Sequence, residues 1–124
     1  MTLTRSNRLV ALALGWREEW ETIDRGADER SFWRRPDGCV SFGGPPDYAN
    51  DPKAVGQMIE WLLCTSGSIN VASDDNAAIP RDRRWEARFW CCGIFEHVAC
   101  RTLNRALCAA ILRLQRHKTK EPKP

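Results

Sequence analysis

The sequence predicts an α+β domain, an antiparallel sheet of about four to five strands flanked by three helices in an α-β-α three-layer sandwich, with a two-layer sandwich as the alternative. Three observations carry this. From Arg84 to Leu114 the period changes: Trp85 to Cys92 alternates like a strand, Gly93 interrupts it, Ile94 to Arg101 is short and apolar enough to return as a strand, and Thr102 to Leu114 is helical. Two further apolar stripes at helical spacing lie upstream, at Leu9, Leu12, Ala13, Trp16 and Trp20 and at Val55, Met58, Ile59, Leu62 and Leu63. Between those stripes, Pro36-Asp37-Gly38 separates two β-prone arms, with Pro to set φ and Gly to supply a positive one.

The elements follow in order. Thr4 or Ser6 caps the first helix, which Gly15 interrupts, so that it loosens near Trp16 or stops there. Asp24 to Arg30 is polar and reads as a loop. Phe32 to Arg35 and Cys39 to Phe42 are the hairpin arms, and Gly43-Gly44-Pro45-Pro46 is a linker that neither a helix nor an inner strand accepts. Asn50 or Asp51 ahead of Pro52 starts the second helix, which runs to about Cys64 and ends at Ser66-Gly67. Ser68 to Ala72 is a short strand and Ser73 to Arg83 a long exposed loop. On the next strand Trp85, Ala87, Phe89 and Cys91 share one face, and Glu86, Arg88, Trp90 and Cys92 the other. Thr102 caps the last helix, whose buried stripe is Leu103, Leu107, Ala110, Ile111 and Leu114. From Gln115 the chain is polar and basic, so residues 1–117 form a single domain and 118–124 a disordered basic tail.

Hydrophobic content of 43% and charge of 28% belong to a globular chain, not a disordered one. The opening residues have no apolar core with a small-residue cleavage site, and Leu9 to Leu14 is too short to cross a bilayer. The reading is therefore a cytoplasmic protein with no membrane partner, its six cysteines buried as small hydrophobes. The net charge of +3 conceals an asymmetry: residues 1–79 carry 8 Lys and Arg against 12 Asp and Glu, and residues 80–124 carry 11 against 4.

Three stretches give the chain a resemblance. Leu9-Val10-Ala11-Leu12-Ala13-Leu14-Gly15-Trp16, Pro46-Asp47-Tyr48-Ala49-Asn50-Asp51, and Thr102 with Ala106-Leu107-Cys108-Ala109-Ala110-Ile111-Leu112 occur in the order seen in small phage and prophage proteins, and the chain resembles the phage ABA sandwich domain family. It departs in having Ala49 where the family has Ser, and an arginine-rich insert before Trp85. The resemblance implies a sandwich fold, a phage origin and hence a host cytoplasm, and brings no enzymatic activity or cofactor with it.

Cys91, Cys92, His97 and Cys100 lack the paired spacing of a structural zinc site, because adjacent residues on a strand face opposite ways; no metal is expected. For the same reason Glu96 does not orient His97 as a base, and no glycine elbow, P-loop or dinucleotide fingerprint is present, so no catalytic residue is assigned. Arg81, Arg83, Arg84 and Arg88 beside Trp85 or Trp90 are the stronger candidates, since guanidinium and indole groups hold phosphates, stack on bases or anchor protein interfaces. Their bland alternative is a solvated loop beside core tryptophans. Trp33, Arg34 and Arg35 repeat the composition on the hairpin, with Tyr48 nearby in the candidate set. The leading expectation is a non-enzymatic phage module that inhibits a host protein, such as a CRISPR-type defence complex. The alternatives are a sequesterer of a nucleotide signal and a nucleic-acid-binding accessory protein.

Overall fold

The computed structural model describes residues 4–23, 28–41, 43–73, 78–91 and 93–120. Helix α1 (Arg5–Ala13) starts at Thr4, whose hydroxyl accepts the Asn7 N–H at 3.2 Å. It stops in a Schellman turn: Gly15 N–H donates to the Leu12 carbonyl, Trp16 N–H to the Ala11 carbonyl, and Gly15 takes φ +106°. The chain then runs extended as β1 (Arg17–Ile23), paired antiparallel with β2 (Asp28–Arg34), to which β3 (Val40–Ser41) adds a short edge. Two expectations are corrected here. Trp20 belongs to a strand, not to the first helical stripe, and Asp28 to Arg30 are strand where a loop was expected; residues 24–27 lie outside the described residues. The four-residue spacing of Trp16 and Trp20 suits either period, and the left-handed Gly15 between helix and strand decides it.

Asp51 accepts the Lys53 N–H at 3.0 Å and caps a 3-10 turn, Pro52–Ala54, that leads into α2 (Val55–Ser66). Gly67 ends α2 with φ +86°. A second sheet follows, ordered β4 (Ile69–Ser73), β5 (Trp85–Cys91), β6 (Ile94–Cys100), all antiparallel, with a 3-10 turn at Arg81–Arg83 before β5. Helix α3 (Leu103–Lys120) is capped at Thr102, whose hydroxyl accepts the Arg105 N–H at 3.2 Å. It continues past Gln115 as far as Lys120.

The architecture is thus α+β with three helices and two separate three-stranded antiparallel sheets, in place of one sheet of four or five strands. Each sheet pairs strands that are neighbours in sequence. The three-layer arrangement is corrected as well. Helix α3 packs on β5 and β6, α1 and α2 flank α3, and α2 also reaches β4 and β5. Helices α2 and α3 cover one face of β4-β5-β6, into which Ala87, Phe89 and Val98 point; Arg88, Trp90, Phe95, His97 and Ala99 on the other face are exposed.

On α3, Asn104, Ala106, Leu107, Cys108, Ala110, Ile111 and Leu114 are all buried. At 100° per residue these positions span an arc of roughly 200°, about twice the stripe of a helix with one covered side. That width is what a helix between a sheet and two other helices requires. Between α1 and α3 the loop 46–51 inserts Tyr48, fully buried, with Trp16, Met58, Leu62, Phe89, Leu107 and Ile111 in the same core. Two asparagines fasten this loop. Asn7 Nδ2 donates to Asp47 Oδ1 at 2.6 Å while its Oδ1 accepts the Ala49 N–H at 3.0 Å; Asn104 Nδ2 donates to the carbonyls of Tyr48 at 3.0 Å and Asp51 at 2.7 Å.

Candidate functional site

Alternation along β5 sorts its side chains. Ala87 and Phe89 are buried, and Trp85 is half-buried against the same core. Glu86, Arg88 and Trp90 take the uncovered side. Only two residues separate Cys91 from Ile94, and Trp90 pairs with Phe95 and Arg88 with His97 across the sheet. Trp90 is 50% exposed and Phe95 53%, yet their rings meet edge to face with centroids 5.4 Å apart. At this point β4 has ended, since its first residue, Ile69, pairs with Phe89. Ser66 at the end of α2 supplies the missing partner: its hydroxyl donates to the Trp90 carbonyl at 2.7 Å and accepts the Trp90 N–H at 3.1 Å. The exposed indole therefore sits on backbone fixed from both sides.

Arg88 Nε donates to Glu86 Oε1 at 3.0 Å along the same face, which raises the Arg88 pKa and leaves the pair nearly neutral. Arg81 and Arg83 are exposed on the 3-10 turn, at the opposite end of β5 from Trp90. Trp85 and Trp90 are five residues apart, about 17 Å of strand, so the arginine-rich turn and the aromatic pair are two places, not one. Arg84 is half-buried, and its Nε has no hydrogen-bond partner among the described residues. Trp85 faces the core and is partly buried against it.

The hairpin cluster resolves into internal contacts. Arg34 clasps Glu19 through Nε at 2.9 Å and Nη2 at 3.2 Å, donates through Nη1 to the Gly38 carbonyl at 2.6 Å, and lies 5.9 Å from the Phe32 ring centre. The bidentate pair raises the Arg34 pKa and lowers that of Glu19. Trp33 packs partly buried against the core, and Arg35 is exposed. Tyr48 is withdrawn from any surface: burial pushes its hydroxyl up to about 12, and although the Trp16 side chain lies near enough to oppose that shift, no group stands in hydrogen-bond geometry to it among the described residues.

The cysteines divide. Cys108 is buried, its thiol pushed up to about 12 by desolvation and set 3.7 Å from the Met58 sulfur, but Cys39 and Cys64 are exposed, against the expectation of uniformly buried thiols. The side chains of Cys91 and Cys92 lie outside the described residues. No three His, Cys, Asp or Glu side chains converge among the described residues in a way that would hold a metal ion. No helix of the described residues is long and apolar enough to cross a membrane.

Phe95 had no place among the candidates read from sequence. Its signal was present all the same, because antiparallel strands that end at Cys91 and resume at Ile94 put Phe95 opposite Trp90.

Neither the family models nor the curated proteins contain a match to this chain. Among solved structures the chain is similar to a phage protein from Bacillus cereus ATCC 14579, with a TM-score of 0.60 and 18% identity over 99% of this chain and 93% of that one. At that identity the likeness shows the fold, which is that of a phage protein across the whole domain.

Proposed function

We propose that this protein works by binding rather than catalysis, as a phage-type module that occupies the surface of a host protein, and that its contact face is the uncovered side of β4-β5-β6. The exposed Trp90 and Phe95, held edge to face on backbone that Ser66 fixes, carry this reading. Large aromatic side chains bury about 150–250 Å² each, so two half-exposed rings offer about 150–250 Å² together. At about 25 cal/mol per Å² their coverage contributes about 4–6 kcal/mol, roughly half or more of the free energy of a micromolar complex before ordering costs. Few interface residues dominate binding, and tryptophan is prominent among them. A protein partner fits better than a nucleic acid, because Arg88 is engaged by Glu86 and the face offers a strand of phosphates little net positive charge. A host defence complex of the CRISPR effector kind is the partner class we propose, on the strength of the phage likeness.

A second reading, sequestration of a nucleotide, rests on the other end of β5. There Arg81 and Arg83 are exposed and Arg84 Nε is a buried donor with no partner among the described residues, which a phosphate oxygen would satisfy.

A pull-down from host lysate compares the wild-type chain with Trp90→Ala/Phe95→Ala and with Arg81→Ala/Arg83→Ala/Arg84→Ala, and native mass spectrometry looks for a retained nucleotide. The proposal expects a host protein that the aromatic variant loses and the arginine variant keeps. Capture that survives the aromatic replacements would refute it, and a nucleotide lost only from the arginine variant would put the second reading first.

A further inference from the structure

A concavity of ≈ 360 Å³ opens between α2 and the corner where α1 turns into β1, and none of its lining comes from β4-β5-β6. Helix α2 supplies Gln57, Glu60, Trp61 and Cys64, at i, i+3, i+4 and i+7, the spacing of one helix face. Leu14, Trp16 and Pro36 form the other wall. That wall is held in place: Trp16 N–H donates to the Ala11 carbonyl at 3.0 Å, the Trp16 side chain is buried, and Pro36 stands so near Gly15 that a Cβ there would meet it at 3.3 Å. Trp61 is partly buried against the core. The two indoles are thus set by core packing, and the polar groups of the pocket all belong to α2. Glu60 is the one charged side chain in the lining among the described residues; it is exposed and makes no ion pair among them.

We infer that this pocket receives an arginine side chain of a protein partner. Two indoles and a carboxylate suit a cation, because the ring quadrupole attracts it, most strongly in Trp, and Glu60 supplies the opposite charge. Arginine fits better than lysine: its guanidinium is planar and weakly hydrated, so it stacks on indole at little desolvation cost, and its five N–H groups serve two acceptors at once. Gln57 and Glu60 offer such a pair, three residues apart and about 4.5 Å along the helix axis. A nucleotide would find an indole to stack on but would bring its phosphates to a carboxylate, with no Arg or Lys in the lining to offset the repulsion. An uncharged side chain would fill the pocket without using Glu60.

The probes are four blocked tripeptides, Gly-X-Gly, in which X is arginine, lysine, trimethyl-lysine or citrulline, the last with arginine's shape and no charge. Chemical shifts of the indole and backbone N–H groups of the full chain measure affinity and locate the site. The arginine peptide saturates at about millimolar concentration, with shifts at Gln57, Glu60 and Trp61, and binds about tenfold tighter than the citrulline peptide and about threefold tighter than the lysine peptide. Glu60→Gln weakens it at least about threefold and Glu60→Lys abolishes it, both at an exposed position outside the core. Trp61→Leu, which keeps an apolar side chain against the core, also abolishes it. Absence of saturable shifts up to about 20 mM, shifts centred outside the pocket, citrulline or trimethyl-lysine peptides that match arginine, or a Glu60→Lys chain that still binds would each overturn the inference. So would self-association in sedimentation that Glu60→Lys abolishes, because the occupant would then be a second copy of this chain.

Discussion

Replacing Asn104 tests how the inserted loop is held. Asn104 is 9% exposed, and both N–H bonds of its amide are used, one to the Tyr48 carbonyl at 3.0 Å and one to the Asp51 carbonyl at 2.7 Å. Asn104→Ala removes two hydrogen bonds with a net value of about 0.5–1.5 kcal/mol each, and leaves the buried Tyr48 carbonyl without that donor, a further desolvation cost of about 1–3 kcal/mol. The sum, reduced by whatever water reaches the half-buried Asp51 carbonyl, is about 2–4 kcal/mol. Asn50→Ala is the control: its amide donates to Asp47 Oδ2 at 3.0 Å in an exposed position, and its loss costs about 0.5 kcal/mol or less. Asn104→Asp sets a carboxylate against two carbonyl oxygens and destabilises more than Ala at neutral pH. Its carboxyl pKa is raised in the folded state, so the penalty shrinks as pH falls and the acid becomes a donor. Urea unfolding followed by tryptophan fluorescence measures all three, with an unchanged m-value as the sign that the folded state is intact. An Asn104→Ala cost no larger than that of Asn50→Ala, or an Asn104→Asp variant as stable as wild type at neutral pH, would refute the account of the loop.

Raising the pH should destabilise the fold through Cys108 and Tyr48: each is neutral when folded, with a pKa raised to about 12 from 9.0 and 10.0, so the unfolded chain loses protons first. Their stabilising contribution is complete below pH 9 and is lost between pH 9 and about 12, which unfolding midpoints across that range would show; a flat profile would contradict their burial. Gly15→Ala meets two obstacles, φ of +106° and a Cβ placed 3.3 Å from that of Pro36, and should cost about 1–3 kcal/mol in thermal or urea melts. Ser66→Ala should leave the fold nearly as stable while weakening partner capture less than Trp90→Ala does, because it frees the Trp90 backbone without removing the ring. Under native conditions iodoacetamide should label Cys39 and Cys64 within the time that leaves Cys108 intact, and rapid labelling of Cys108 would count against the core described here.

Local rules were legible wherever a residue's own chemistry decides its conformation. Thr4, Asp51 and Thr102 cap helical segments because a short side-chain oxygen can meet an orphan N–H, and Gly38 and Gly67 take positive φ where a turn and a helix end need it. The alternation along Trp85 to Cys91 and the stripe of α3 are likewise properties of the chain by itself. Other features depend on what stands opposite. Trp20 and the residues after it are helical or extended according to whether a partner strand exists, and that partner, β2, comes from residues that read as a loop. Arg34 looks like a ligand until Glu19 and the Gly38 carbonyl occupy its donors, and Tyr48 looks like a surface aromatic until Asn7 and Asn104 draw its loop between two helices. Whether one sheet forms or two, and which face of β5 is left uncovered, follow from where the helices pack, and packing is a relation among distant segments that no single stretch of sequence encodes. Trp85 and Trp90 have the same side chain, and their opposite fates, one against the core and one in solvent, come from strand parity joined to the placement of α3 on a single side of the sheet.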